Sequence, residues 1–485
     1  MMQVLSVASE AYPLIKTGGL GDVVGALPGA LSGHGIMVTT LVPGYPAVRA
    51  HIGNAPLVHH YPNLMGAEAR ILASDINGFP LLVLDAPALF QREGGPYGDR
   101  RGTDWPDNWR RFAALGRAAA DLASGTIPNW HFDLLHAHDW HAGLAPAYLR
   151  YAPGPGPVAP SLLTIHNMAF QGRFDVSIFP FLGLPPHAYR IDGAEYYGGV
   201  GYLKAGLASA QAITTVSPGY AQEIREAAFG MGLEGLIRSR GADVSGILNG
   251  IDPKIWNPQG DPALAARYGS HSLAMRRANK RAIESGFGLT AGDGPLFTVI
   301  SRLSWQKGMD VLAEQLDTLV ALGGRLALLG TGDMALEAKF RAAASRHPGQ
   351  VAVALGYDEK LSHLLQGGAD AILIPSRFEP CGLTQLYGLA YGCVPVAART
   401  GGLGDTIVDA NQAALAQGVA TGILFDQVSG EGVANALRRA VSLYARRDAW
   451  CRMQVQGMAG DFSWHQSGAR YAELYAKLTR GPAQA

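Results

Sequence analysis

The chain has little cysteine, little charge and no long apolar run. Its three cysteines, Cys381, Cys393 and Cys451, form no CxxC pair and no even set. That argues against structural disulfides and suits a reducing compartment. Charged residues make up 16% and apolar residues 48%, against a usual charged share of ~25%. This is the balance of a large, well-buried enzyme. Lys plus Arg and Asp plus Glu both number 39, so no basic field exists to attract nucleic acid or an anionic membrane. No apolar run approaches the ~18 residues of a membrane span. The first residues read as a strand rather than a basic, then apolar, leader. A cytoplasmic location is the expectation.

Two signatures of phosphate chemistry are also missing. There is no GxxxxGK[ST] loop, and no Asp-x-Asp of the kind that clamps a metal in one large class of sugar-nucleotide transferases. Gly330-Thr331-Gly332-Asp333 is only a fragment of a dinucleotide fingerprint.

Glycine, by contrast, is abundant, and it marks the most informative feature. Thr17-Gly18-Gly19-Leu20-Gly21-Asp22 recurs as Thr400-Gly401-Gly402-Leu403-Gly404-Asp405, preceded by Lys16 in one copy and Arg399 in the other. Each copy follows a strand-like stretch and precedes apolar residues at helical spacing. A cation, a glycine pair and an aspartate at such a turn suit a phosphate or a sugar. Glycine lets the backbone approach the ligand, and the helix N-terminus favours anions. Glycine-rich turns also recur in α/β proteins without function, but that leaves the cation and aspartate unexplained.

Strand-like runs such as Leu134–His138, Leu162–Ile165, Ala212–Val216, Leu296–Ile300 and Ala371–Ile374 alternate with helical patterns. Short apolar strands between helices imply parallel sheets covered on both faces, with ligands at the strands' carboxyl ends. At 485 residues, two large domains are expected. The change is placed near Gly246, giving domains over 1–245 and 246–458 and a C-terminal helical segment over 459–485. Tyr471, Leu474, Tyr475 and Leu478 recur at helical spacing in that segment. The last residues, Gly481 to Ala485, are expected to fray.

Polar clusters sit at predicted strand ends. Pro375 to Gln385 follows the strand Ala371–Ile374, and a helix is predicted from about Gly382, with Glu379 on the loop before it. Glu379 there either accepts hydrogen bonds from sugar hydroxyls or caps the helix. Arg302 and Lys307, in Ser301 to Gly308, lie at the same edge and could clamp a diphosphate. His136-Ala137-His138-Asp139-Trp140-His141 looks metallic, but neighbouring strand residues point to opposite faces. That argues against a shared metal. A polar pocket at His138 and Asp139, with Trp140 as a sugar-stacking wall, is expected instead. His166 and Asn167 end another strand at this edge. Cys381 is either a thiol open to reagents or a small packed one.

Together, Lys16 to Val23, His136 to His141, Asn249-Gly250-Ile251-Asp252, Arg302 with Lys307, and Arg377 to Leu383 resemble the bacterial glycogen synthase family, relatives of plant starch synthases. The resemblance runs from Met2 to the C-terminal helix. It implies the GT-B fold: two Rossmann-like domains whose parallel sheets face a central cleft, with the C-terminal helix crossing back to the first domain. It implies transfer of glucose from ADP-glucose to the non-reducing end of an α-1,4-glucan, with retention of configuration and with no cofactor or metal. By motif, Lys16 contacts ADP-glucose, with Gly18, Gly19 and Asp22 in its loop and Asn249 also on the substrate. Arg302 and Lys307 hold the diphosphate, and Glu379 lies by the donor sugar or ribose. Cys381, Gly382, Leu383 and Thr384 adjoin it, and His166 and Asp139 line the glucosyl pocket. The wider superfamily often carries a second carboxylate eight residues after the first; here Tyr387 stands there. This favours the glycogen and starch synthase branch and weighs against any mechanism that needs a carboxylate pair. Competing readings are a UDP-glucose transferase, a non-catalytic sugar-binding protein, and a pyridoxal-phosphate-dependent phosphorylase.

Overall fold

Seven parallel strands form the centre of the first sheet. Their order in space is Val244–Gly246, Ala212–Thr215, Ser161–Ile165, Leu134–His138, Met2–Val7, Ile36–Pro43 and Phe79–Asp85. The computed structural model describes residues 1–480, so the expected fraying of Gly481 to Ala485 lies outside the described residues. The strands are apolar along their length because helices cover both faces: Val4, Leu5 and Val7 in the first strand are fully buried. The edge departs from the all-parallel expectation. Leu57–Leu64 and Ala67–Ile76 pair antiparallel and extend the sheet beyond Phe79–Asp85. Met65 and Gly66, both with positive φ, make the two-residue turn between them. Buried and exposed residues alternate at the start of Ala67–Ile76, as suits an antiparallel edge with one solvated face.

The second sheet has six parallel strands, ordered Val351–Leu355, Arg325–Gly330, Leu296–Ile300, Ala371–Ile374, Val394–Ala398 and Ile423–Phe425. Numbered along the chain, that order is 3-2-1-4-5-6, the doubly wound Rossmann arrangement. The first sheet's parallel strands repeat it with one strand added. In each sheet the winding reverses beside the first strand. Ligands bind such folds at that switch point, outside the strands' carboxyl ends. The switch points lie between Met2–Val7 and Leu134–His138 in one sheet, and between Leu296–Ile300 and Ala371–Ile374 in the other.

The chain divides into two compact units: Met1–Gly250 with the stretch beginning at Trp464, and Ile251–Ser463. The bonding at the crossings explains these limits. Ile247 N donates to Thr215 O, and Ser467 Oγ donates to Leu248 O, holding 247–248 in the first unit. Ile251 N donates to Phe462 O within the second. Helix Trp464–Thr479 packs on helix Gly19–Ser32, burying Tyr471 and Tyr475 among Val23, Leu27 and Leu31. Gly468 permits the close crossing: a Cβ there would lie 2.6 Å from Ala30 O. Among the described residues no helix is long and apolar enough to cross a membrane.

Candidate active-site residues

In the first unit the strand Met2–Val7 runs into a loop that ends at helix Gly19–Ser32. Lys16 Nζ lies 2.7 Å from Asp22 Oδ1, so cation and aspartate of the hexapeptide brace each other. Gly18 precedes the helix without a side-chain cap, and no atom lies within 4 Å of where its Cβ would stand. The helix start is thus uncapped and the space beside Gly18 is open, two features that an anion site requires. The loop is held from below by Glu10, only 2% exposed. Its carboxylate accepts from Thr17 N at 2.5 Å, Thr17 Oγ1 at 2.6 Å and the Tyr97 hydroxyl.

Across the switch point, His136 and His138 lie buried in their strand. His136 bonds Tyr475 Oη at 2.7 Å and Thr164 Oγ1 at 2.6 Å. His138 bonds Ser6 Oγ at 3.1 Å through Nε2 and His166 Nε2 at 3.0 Å through Nδ1. Asp139 has a φ of 56°, and its Oδ1 accepts from His166 N at 2.6 Å and Asn167 N at 3.4 Å. So Asp139 grips the peptide that presents His166. Among the described residues the His166 carbonyl accepts no hydrogen bond. Burial sets the protonation here. It pushes His136 and His166 down to about 3 and His138 well below its ordinary value, so all three are neutral. Burial raises Asp139 to about 7, partly opposed by the two amides.

Trp140 is not a sugar-stacking wall. It is 9% exposed and packs against Phe112, Phe174 and His141. Gly172, with a φ of 57°, lies so close that a Cβ would overlap the indole. The left-handed turn at Asp139 redirects the chain, and Trp140 enters the core. His141 is also buried, stacked on Tyr97 with ring centroids 4.6 Å apart.

In the second unit Lys307 and Glu379 meet at the switch point, with Nζ 2.5 Å from Oε2. Ser376 Oγ donates to the same oxygen at 2.9 Å. The two loops are stitched further by Arg377. It forks onto Asp310 at 2.7 and 2.8 Å and donates to Trp305 O at 2.6 Å. Gly308, with a φ of 66°, passes so near Pro375 that a Cβ would overlap its carbonyl. Arg302 is exposed, and among the described residues its guanidinium has no hydrogen bond or ion pair. The helix predicted from about Gly382 spans Thr384–Tyr391, and its cap, Leu383, forms no side-chain hydrogen bond. Gly382 has a φ of 71°, and Cys381 is buried, unlike the exposed Cys451. Tyr387 stacks on Trp256 with centroids 3.5 Å apart, and Trp256 stacks on His363 at 3.9 Å.

The second hexapeptide lies against this loop. Gly402 N donates to Glu379 O at 3.1 Å. Cβ atoms on Gly401 and Gly402 would overlap the carbonyls of Glu379 and Cys381. The two copies thus use glycine differently. Gly18 leaves space open, whereas Gly401 and Gly402 let one loop carry another. Asn249 is buried at the crossing between units, its Oδ1 without a partner among the described residues. Among the described residues no group of three or more His, Cys, Asp or Glu could hold a metal ion. Glu10, Ser6, Tyr97 and Ser376 were missed by the sequence reading. Glu10's place just past a switch-point strand was a usable signal, whereas Tyr97 sits on a loop with no motif.

Two doubly wound parallel α/β units, each with cations or free helix amides at its switch point, define a nucleotide-sugar glycosyltransferase of the GT-B class. Residues 3–239 match the family described as starch synthase catalytic domain, and residues 282–452 match glycosyl transferases group 1. A glycogen synthase of Novosphingobium aromaticivorans is 63% identical over 98% of this chain and 99% of its own length. One of Rhizobium rhizogenes is 58% identical over the same shares. The catalytic domain of starch synthase IV from Arabidopsis thaliana, solved with ADP and acarbose, superposes with a TM-score of 0.87 at 31% identity, over 99% of each chain. The chain belongs to the glycogen synthase family.

Proposed function

We propose that this chain transfers glucose from ADP-glucose to the non-reducing end of an α-1,4-glucan, retaining the anomeric configuration. The pairing of Lys307 with Glu379 beside the unpaired Arg302 carries the reading. A diphosphate needs cations, and Glu379 aims the ammonium while Arg302 stays available. The ADP bound to the related starch synthase supports the nucleotide.

The chemistry follows from what the carboxylates are doing. Glycosidases protonate a poor alcohol leaving group with one of two carboxyl groups. Here Glu379 is held by Lys307 and Ser376, and Tyr387 stands where a second carboxylate would be. ADP needs no acid if its developing charge is stabilised. The bond between the anomeric carbon and the phosphate oxygen breaks, with Lys307 and Arg302 offsetting the charge. The acceptor 4-hydroxyl attacks the same face and gives its proton to the departing phosphate. The His166 carbonyl, steadied by Asp139, stabilises the oxocarbenium-like sugar. Lys16 and the amides beyond Gly18 contact the donor.

The deciding experiment is incorporation of labelled glucose into glycogen from ADP-glucose or UDP-glucose. Faster incorporation from ADP-glucose, with an α-linked product, is expected. No incorporation from either donor overturns the proposal.

A further inference from the structure

Ser6, His138 and His166 form a single file of hydrogen bonds from the sheet interior to the strand edge. Ser6 and His138 are fully buried and His166 is half-buried. The links are 3.1 Å, from Ser6 Oγ to His138 Nε2, and 3.0 Å, from His138 Nδ1 to His166 Nε2. Each neutral imidazole has one N–H and one bare nitrogen, so the file runs in one of two directions.

Only one direction satisfies every buried proton. The sole hydrogen-bond partner of Ser6 Oγ among the described residues is His138. If His138 donated to Ser6, the serine hydroxyl proton would be buried with no acceptor, which costs the full desolvation of that group. If Ser6 donates, His138 Nε2 accepts, His138 Nδ1–H donates onward, and His166 Nε2 accepts. The proton of His166 is then on Nδ1. That nitrogen makes no hydrogen bond within the described chain, and it is not among the buried polar atoms left without partners. Burial keeps both rings neutral, so neither can satisfy the file by gaining a second proton.

We propose that Ser6 and His138 are positioning residues that fix the tautomer of His166, so that His166 offers an Nδ1–H donor to a hydroxyl oxygen of the donor sugar. The sugar part rests on the function proposed above, while the tautomer does not. A donor fixed in this way demands an acceptor oxygen, and it rejects a sugar that lacks one by leaving a buried polar group unpaired.

The test begins with the ligand-free enzyme. Histidine-selective 15N labelling, with the His166 signals assigned by their loss in His166→Gln, is expected to show a protonated Nδ1 and a bare Nε2 at neutral pH. A protonated Nε2 overturns the proposal. Ser6→Ala is a small change that removes the first donor. It is expected to populate the other tautomer and to lower kcat/KM for the donor about two- to tenfold. Ser6→Cys, a weaker donor of similar size, is expected to fall between Ser6→Ala and the wild type. An unchanged tautomer and unchanged kcat/KM in Ser6→Ala also overturn it. Adding ADP-glucose is expected to move the His166 Nδ1–H resonance. A static resonance, in an enzyme that incorporates glucose, removes the sugar contact. The expected tautomer in an enzyme that incorporates no glucose removes only the proposed function.

Discussion

Lys307 and Glu379 are 72 residues apart in sequence, yet their charged atoms lie 2.5 Å apart at the second sheet's switch point. Both side chains are largely buried, so the pair is shielded from the screening that weakens surface ion pairs. Its geometry fixes where the ammonium points, and Ser376 gives the carboxylate a second anchor.

Lys307→Ala is therefore expected to lower kcat about 10²–10³-fold, as loss of one charge-stabilising donor does. Glu379→Gln is expected to lower it too. The double variant should lose less than the sum, because the two side chains act as a unit. Steady-state kinetics on all four enzymes checks this. Strict additivity would separate the two roles.

The glycines of the second hexapeptide are expected to differ sharply. Gly402→Ala would drive a Cβ into the Cys381 carbonyl, displacing the Glu379 loop and reducing both activity and thermal stability. At Gly404 the nearest neighbour is Arg399 Cγ at 3.7 Å. Gly404→Ala, inside a helix, is expected to be neutral or to stabilise by up to ~1 kcal/mol. Melting temperatures and kcat for the two variants provide the comparison.

Stability should fall on the acid side of pH 6.5. His136, His138, His141 and His166 are held neutral by burial, with native pKa values well below the ordinary 6.5. Between those values and 6.5 the unfolded chain binds more protons, so stability drops as pH falls. The slope is about 1.4 kcal/mol per unit for each histidine. Asp139 opposes this. Its raised pKa of about 7 makes the native state the better proton binder between 3.8 and 7. Four groups outweigh one. A melting temperature that is flat from pH 7 to pH 5 would contradict the assignment.

Asp139 should also shape the pH–rate profile. With a carboxyl that titrates near 7 and grips the His166 amide, kcat/KM is expected to decline through one protonation below about pH 7. Asp139→Asn should lower the rate roughly 10²-fold and remove that limb. A variant that retains the same acidic limb assigns it elsewhere.

Tyr475→Phe removes the hydroxyl that meets His136 Nδ1 beneath the first sheet. A loss of about 1 kcal/mol is expected, measurable by denaturant unfolding, with kcat nearly unchanged because the Tyr475 hydroxyl bonds His136 and not His138, Asp139 or His166.

Much of this site was legible beforehand because parallel α/β sheets advertise their strands. Leu296–Ile300 and Ala371–Ile374 are apolar and bounded by turns, so Arg302, Lys307 and Glu379 could be placed at one edge from pattern alone. The antiparallel hairpin Leu57–Ile76 was not seen, because its half-solvated strands lack that continuous apolar signal. Trp140 was misread because its neighbours pointed to a pocket, while the left-handed backbone at Asp139 turned it inward. Aspartate is enriched at such a φ, but only a few per cent of non-glycine residues adopt one, so the residue type alone does not announce the turn.

Local pattern and motif alone determined the two α/β series, the C-terminal helix and the family, since each depends on residues close together in the chain. Tertiary structure decided which side chains meet. It joined Lys307 to Glu379, set Glu10 beneath Thr17, and laid the second Thr-Gly-Gly-Leu-Gly-Asp against the loop of Glu379. It also ordered Ser6, His138 and His166 into one hydrogen-bonded file. Those pairings come from separate strands brought side by side, where burial removes water and leaves each polar group only the partners that the fold supplies.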